Sequence, residues 1–326
     1  MPGGIGLPRV HVISLGGTIA STSTEGGSAV APEITGAQLV AAVPQLSDVA
    51  EVTTEQLAQV GSSSLDIDTV CKVAAAGVAA IGDGARGVVV TQGTDTLEET
   101  AYLLSLLNGS HRPFVATGAM RNPTLAGADG PANLLAAVTA AASDDLAGIG
   151  CLLAFSDELH DPLWAHKAHT ASTATFTSGP QAGPLGWVHE GVVRLSYRPT
   201  TPPWTASPDR ALPPVALVSA GLGDDLRLVE ALPGLGYAGV VIAGTGGGHV
   251  HQDAVDRVTA LAAQIPVVIA SRTGSGHLLQ HTYGFRGGEV DLLNRGLLGA
   301  GPLSAPKARL LLGLLVAHNA LTAWPY

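Results

Sequence analysis

Thr18, Thr94 and Asp95 are the residues of this 326-residue chain whose surroundings suit them to covalent chemistry. Thr18 lies in VISLGGTIAST, and Thr94 and Asp95 lie in VVVTQGTDTLEETAYLL. Each stretch is a short apolar run that ends in glycine and then in hydroxyls. A buried strand that stops at Gly-Gly-Thr or Gly-Thr-Asp delivers polar side chains and bare backbone N–H groups to the rim of a sheet, where open α/β sheets bind ligands. Glycine there lets a ligand approach the main chain closely. A threonine hydroxyl is a poor nucleophile at neutral pH and needs a group to take its proton. One strand end with an exposed threonine and a second with a Thr-Asp pair suggest a nucleophile and its charged helper. The competing reading of Thr18 and Asp95 is structural, as helix caps after their strands.

The elements that position these residues alternate between apolar strands and helical stretches, the pattern of parallel βαβ units. Strands are expected at 10–15, 87–91, 114–117 and 150–155, with helices at 37–43, 66–82, 97–107 and 130–142. Thr35 suits an N-cap, and Glu98 and Glu99 suit a helix N-terminus. From Arg198 to Pro214 the sequence RPTTPPWTASPDRALPP is dense in proline and has no periodicity, which reads as an extended, fairly stiff linker. The alternation then resumes, with strands at 215–219, 239–243 and 267–271 and helices at 227–232, 254–264 and 306–318. The expected organisation is a larger N-terminal α/β domain over 1–198, a linker over 199–214 and a smaller C-terminal α/β domain over 215–326.

Bulk composition narrows the class. With 46% hydrophobic and 13% charged residues the chain belongs with well-buried globular proteins. A net charge of −10 argues against a nucleic-acid surface, which needs clustered Lys and Arg. No run of about 18 apolar residues is free of glycine, proline and charge, so a membrane span is not expected. The opening MPGGIGLPRVHVISLGGTIA lacks a basic start and runs straight into the first motif, so no signal peptide and a cytoplasmic location are expected. Cys71 and Cys151 read as two buried free thiols.

Six segments in order resemble the L-asparaginase family of amidohydrolases, the type that uses a threonine nucleophile without autocleavage. They are LGGTIA (Leu15 to Ala20), VGSSSL around Ser62, TQGTDTLEET (Thr91 to Thr100), TGAMR (Thr117 to Arg121), ADGPANL (Ala128 to Leu134) and GPLGWVHEG (Gly183 to Gly191). One GGT would mean little; six matches in order, from Leu15 to Gly191, are specific. The resemblance implies a parallel-sheet, flavodoxin-like N-terminal domain and a smaller C-terminal one. It implies hydrolysis of L-asparagine to L-aspartate and ammonia through a threonine acyl-enzyme, with no cofactor and no metal. It gives Thr18 as the nucleophile and Thr94, Asp95 and Lys167, in WAHKAHTASTATF, as the proton-transfer set. Substrate would meet Gly61, Ser62, Ser63, Gly93, Thr94, Asp95 and Ala119, with Ser62 and Ser63 on its α-carboxylate and Asp95 on its α-ammonium. Gln92 would stand one layer behind. Composition singles out Lys167 too, since the chain has three lysines, Lys72, Lys167 and Lys307, against thirteen arginines. Family members are commonly tetramers of intimate dimers, so at least a dimer is expected, with a small-molecule substrate as the other partner.

Two departures keep alternatives open. Many members carry a tyrosine on a mobile loop soon after the GGT threonine; here that loop is STEGGSAVAPEITG, with no tyrosine and with glycines that fit a lid. Thr18 would then be activated through Thr94 and Lys167, through water, or by a hydroxyl such as Ser21, Thr22 or Ser23. The stretch matching the acid that members borrow from a neighbouring subunit, SRTGSGHLLQHTYGF, has no acid, leaving His277, Gln280 or His281 for that space. The alternatives are a glutaminase, a hydrolase of another amino-acid amide, or a weakly active asparagine sensor. His160, His166 and His169, and His249 and His251, have spacings that zinc sites also use, but no HExxH or cysteine pair accompanies them. GTGGGHVH lacks the GK[ST] ending of a phosphate loop and reads as a tight turn at a strand end.

Overall fold

The computed structural model describes residues 6–23, 30–32, 34–199 and 204–326. The chain divides into two compact units, Met1–Asp209 and Arg210–Tyr326, and the division falls inside the proline-dense stretch.

In the first unit the strands are β1 (Arg9–Gly16), β2 (Ser21–Ser23), β3 (Val30–Pro32), β4 (Glu51–Val60), β5 (Gly87–Thr91), β6 (Phe114–Thr117), β7 (Cys151–Phe155), β8 (Glu158–His160), β9 (His166–Lys167), β10 (Phe176–Thr177), β11 (Gly186–His189) and β12 (Val192–Leu195). The helices are α1 (Gly36–Ala41), α2 (Ile67–Gly82), α3 (Leu97–Leu107) and α4 (Gly130–Ala142). The main sheet runs β12-β11-β8-β7-β6-β5-β1-β4. Its parallel part, β4-β1-β5-β6-β7, has the flavodoxin-like order in which the second strand lies outside the first. β5, β6 and β7 are buried at every residue, as central parallel strands covered on both faces must be, and they read as unbroken apolar runs for that reason. α2 and α3 pack together on one face, and α4 and α1 cover the other. Gly77 of α2 is a close-approach residue, since a Cβ there would come within 2.3 Å of the Phe114 ring.

Local chemistry accounts for the helix starts. Thr35 caps α1 in a full capping box with Gln38, and Asp66 caps α2 by accepting from Thr69 N at 2.7 Å. Two features depart from the expected pattern. β4 (EVTTEQLAQV) is half exposed and edges the sheet, so it lacks the apolar run that marked its neighbours. Beyond β7 the sheet turns antiparallel through β8, β11 and β12. Ser156 and Asp157 (φ 50° and 63°) and Glu190 and Gly191 (φ 53° and 72°) make two-residue loops of the left-handed kind that close hairpins.

The second unit holds a four-stranded parallel sheet, β13 (Val215–Ser219), β14 (Gly239–Gly244), β15 (Val267–Ser271) and β16 (Leu298–Gly299), with α5 (Val255–Ala262), α6 (Glu289–Asn294) and α7 (Ala305–Ala317). The helix expected over 227–232 is a 3-10 segment, Arg227–Ala231, preceded by Leu226 in the left-handed region. The helix expected over 254–264 is the shorter α5. GTGGGHVH forms a tight turn after β14, closed by a bridge between Thr245 and His249. No helix among the described residues is long and apolar enough to cross a membrane.

His160 on β8 is buried, with Nδ1 3.0 Å from Ser178 Oγ, and burial lowers its pKa to about 4. A histidine that protonates more readily unfolded than folded leaves stability intact above its unfolded pKa, near 6.5. Stability then falls as the pH drops from about 6.5 towards 4, by ~3 kcal/mol for this residue. Urea unfolding across that window should show a shallower acid loss for His160→Gln than for the parent, and identical slopes would refute the assignment.

Candidate active site

The site lies where strand order reverses, between the C-terminal ends of β1 and β5, the crevice position expected of such sheets. After β1 the chain turns through Gly16 and Gly17, with φ of 95° and 82°, a region open to glycine at little cost. A Cβ on Gly17 would lie 2.0 Å from Gly93 N, and one on Gly118 would lie 2.4 Å from Gln92 O. A Cβ on Gly93 would lie 2.8 Å from Ser62 Oγ. The loops after β1, β5 and β6 therefore meet backbone to backbone, which only glycine permits, and the loop after β4 sets the Ser62 side chain against Gly93.

Thr18 opens a single 3-10 turn, Thr18–Ala20, and is half-buried. The N-cap of that turn is Gly17, so a capping role does not account for Thr18. Ser21 Oγ donates to Gly17 O at 2.8 Å and Gly17 N donates to Val60 O at 3.0 Å, which ties the turn to β4. The buried Ser21 hydroxyl is thereby occupied in holding the turn. Thr22 and Ser23 lie in β2, whose pairing with β3 brackets the expected lid; 24–29 and 33 of that loop lie outside the described residues.

On the second strand end, Lys167 Nζ stands 2.9 Å from Thr94 Oγ1 and 2.7 Å from Asp95 Oδ1. Thr94 is buried; the Asp95 carboxylate is two-thirds exposed, with 66% of its side chain accessible. Thr94–Thr96 forms one 3-10 turn leading directly into α3, which lifts both side chains to the sheet rim. Lys167 reaches them from β9, which pairs with β10 so that Lys167 lies opposite Phe176. Phe176 is anchored on Phe155, their ring centroids 5.0 Å apart. The Lys167 backbone N–H also donates to Glu98 Oε2. Glu98 lies one turn along from Asp95, so one helix start clasps both the amide and the ammonium of Lys167. Its spacing from Asp95 was the available signal for this role, but acids in a first turn read as dipole partners.

The carboxylate-binding candidates are also assembled here. Gly61 precedes a 3-10 turn, Ser62–Ser64, in which Ser62 is buried and Ser63 is exposed. Ser62 Oγ accepts from Asp95 N at 3.2 Å, and Ser62 O accepts from Thr96 Oγ1 at 3.0 Å. Gln92 is buried behind them, its Nε2 3.3 Å from Gly93 O. Ala119 is fully buried, and a Cβ on Gly130 of α4 would sit 3.4 Å from its methyl. The ADGPANL segment is scaffolding: Asp129 accepts from the N–H groups of Met120 and Arg121, and Asn133 bridges Gly118 O and Ser156 N.

The histidines have other partners. His169 Nδ1 accepts from Ala171 N and Ser172 N, His251 Nδ1 accepts from Asp253 N, and His249 Nε2 meets the buried carboxylate of Glu289 at 2.9 Å. Among the described residues no three His, Cys, Asp or Glu side chains gather as a metal site would require. Residues 271–285 of the second unit, His277, Gln280 and His281 included, are largely exposed.

A hydroxyl, an ammonium and a carboxylate in line at a strand-end crevice, beside a second threonine on a glycine turn, define a two-domain α/β hydrolase. Residues 9–201 match the asparaginase N-terminal domain, and residues 214–323 match the glutaminase/asparaginase C-terminal domain. The chain is 35% identical over 324 residues to L-asparaginase 2 of Escherichia coli, covering 97% of this chain and 90% of that protein. It is 34% identical over 321 residues to a probable periplasmic L-asparaginase of Haemophilus influenzae, covering 96% and 90%. The crystal structure of a probable cytoplasmic L-asparaginase from Campylobacter jejuni superposes with a TM-score of 0.86 at 32% identity, covering 95% of each chain. The chain belongs to the asparaginase family of amidohydrolases.

Gly17→Ala should lower stability by roughly 3 kcal/mol, since it combines a left-handed φ with a backbone clash. Gly82→Ala, at the end of α2 with open space around it, should be neutral or stabilising by about 0.5 kcal/mol. Denaturant titration of the pair tests this; equal effects would mean that the loops are not held by that contact.

Proposed function

We propose that this protein is an L-asparaginase that hydrolyses L-asparagine to L-aspartate and ammonia through an acyl-enzyme on Thr18. The observation that carries the reading is Lys167 Nζ seated between Thr94 Oγ1 and Asp95 Oδ1. An ammonium within hydrogen-bonding reach of a hydroxyl stabilises its alkoxide character, so Thr94 can pass a proton along, while Asp95 holds the lysine in line. As Thr18 Oγ attacks the side-chain amide carbon its proton passes to Thr94 Oγ1, Thr94 yields its own hydrogen to the departing nitrogen, and the Lys167 ammonium steadies the charge on Thr94 Oγ1 meanwhile. Backbone N–H groups near Thr18 and Thr94 steady the oxyanion. Ammonia leaves with the proton from Thr94, and water then releases aspartate from the Thr18 ester. Nothing in this sequence of steps calls for a metal or cofactor.

Gly61, Ser62 and Ser63 would receive the α-carboxylate, the exposed side of Asp95 the α-ammonium, and Gly93 the backbone of the cradle, with Ala119 behind the amide. Support comes from Ser62 Oγ lying 3.2 Å from Asp95 N, so that a carboxylate site and an ammonium site adjoin. We further propose a homo-oligomer, at least a dimer, located in the cytoplasm. Exposed Tyr283 and Phe285 on the second unit, at 44% and 54%, support a subunit contact there. The linker and domain limits proposed are 199–214 between domains over 1–198 and 215–326.

Ammonia release from L-asparagine and L-glutamine by the purified protein tests the reading. Thr18→Ala should abolish release, and Lys167→Met should lower kcat by about 10²- to 10⁴-fold. A clear preference for glutamine would reassign the substrate. Wild-type protein that binds asparagine yet releases no ammonia would favour a sensor.

A further inference from the structure

The Thr94 hydroxyl has one hydrogen to give. Lys167 Nζ, 2.9 Å away, can only donate, so Thr94 Oγ1 accepts there and its own hydrogen must point elsewhere. It points to Met120 Sδ, 3.3 Å away. A thioether is a weak acceptor, so it orients the hydroxyl without trapping its proton. Met120 is itself held in place, since its N–H donates to Asp129 Oδ2 at 2.9 Å in the loop that Asn133 anchors. It is half-buried, within reach of a small oxidant.

The rest of the chain makes this sulfur chemically conspicuous. The chain has two methionines, Met1 and Met120, and two cysteines. Cys71 and Cys151 are buried free thiols, and burial pushes both thiol pKa values up, which keeps them from the reactive thiolate form. Oxidant sensitivity should therefore concentrate on a side chain that touches the proton relay.

We propose that Met120 is a positioning residue of the amide-hydrolysing site, acting through Thr94, and that oxidation of its thioether by a peroxide switches the site off. The inference rests on the role given to Thr94 above. In the oxidation Met120 Sδ donates a lone pair to one peroxide oxygen and the O–O bond breaks. A sulfoxide and water result (from hydrogen peroxide), with sulfur giving up two electrons and peroxide taking them. The sulfoxide oxygen is a strong acceptor and adds bulk at the same spot. It would trap the Thr94 hydrogen that the thioether only orients. The change is reversible by methionine sulfoxide reductases.

The test treats the full-length wild-type enzyme with hydrogen peroxide and follows asparagine hydrolysis beside peptide mass mapping. We expect kcat to fall more than about tenfold in step with the gain of one oxygen on the Met120 peptide, with KM changed less than about twofold. Incubation with both sulfoxide reductases and a thiol reductant should restore kcat and remove the oxygen. Met120→Leu, which nearly conserves volume, should lose about fivefold in kcat for want of the acceptor and should keep its remaining activity through the same treatment. The wild-type arm stands even if the variant folds poorly. Active enzyme that keeps its kcat with Met120 fully oxidised would overturn the inference alone. So would a folded Met120→Leu that is inactivated as fast as the wild type. Untreated enzyme that hydrolyses neither asparagine nor glutamine would overturn the functional reading and this inference together.

Discussion

Backbone contact between glycines is the constraint on which the site depends. Gly17 and Gly93 approach so closely that a methyl group on Gly17 would overlap the Gly93 amide, at 2.0 Å. That contact brings the ends of β1 and β5 together at the reversal of strand order. It sets Thr18 and the Thr94–Asp95 pair on one rim, although they come from strands far apart in sequence. Gly118 against Gln92 O extends the same packing to β6, and Gly16, where a Cβ would lie 2.7 Å from Val60 N, extends it to β4. Side chains can then be placed precisely, because the scaffold beneath them is main chain packed on main chain.

Onto that scaffold the fold adds a charged clasp. Lys167 arrives on a two-residue strand that could not hold a position alone. Its placement comes from pairing with Phe176, from the Phe155–Phe176 contact beneath, and from Glu98 on its backbone N–H. With the main chain held from both sides, the side chain is free to satisfy Thr94 and Asp95 together. The two sites proposed for the substrate charges adjoin in the same place, since Asp95 and the Ser62 turn share a hydrogen bond.

The absence of a tyrosine after the GGT threonine gives the remaining hydroxyls more to do. Ser21, the first candidate replacement, is committed to Gly17 O, where it stiffens the turn that carries Thr18. Under the proposed mechanism proton traffic falls chiefly to Thr94, whose surroundings are a strong donor on one side and a weak acceptor on the other. Such an asymmetric setting suits a group that must hold a proton loosely.

By itself the sequence determined the parallel core and the family to which the chain belongs. β5, β6 and α1 to α4 are legible because their patterns are local: unbroken apolar runs for strands buried on both faces, and helix-start residues such as the Thr35 cap before α1 and the acids that open α3. The glycine-hydroxyl endings of β1 and β5 were equally plain. Tertiary structure alone decided the rest. β4 is polar because it is an edge, and its place beside β1 comes from pairing rather than from its own periodicity. The antiparallel strands beyond β7 depend on two tight turns and on partners they meet only in the fold. Lys167 lies 73 residues from Thr94, and no local rule links them except through the resemblance of the motifs. Glu98 and Met120 lie within motifs that are plain in the sequence, but their contacts with Lys167 and Thr94 are not, for the same reason. Their roles consist of distances to groups that folding brings near, and a one-dimensional pattern records only what neighbours in sequence impose.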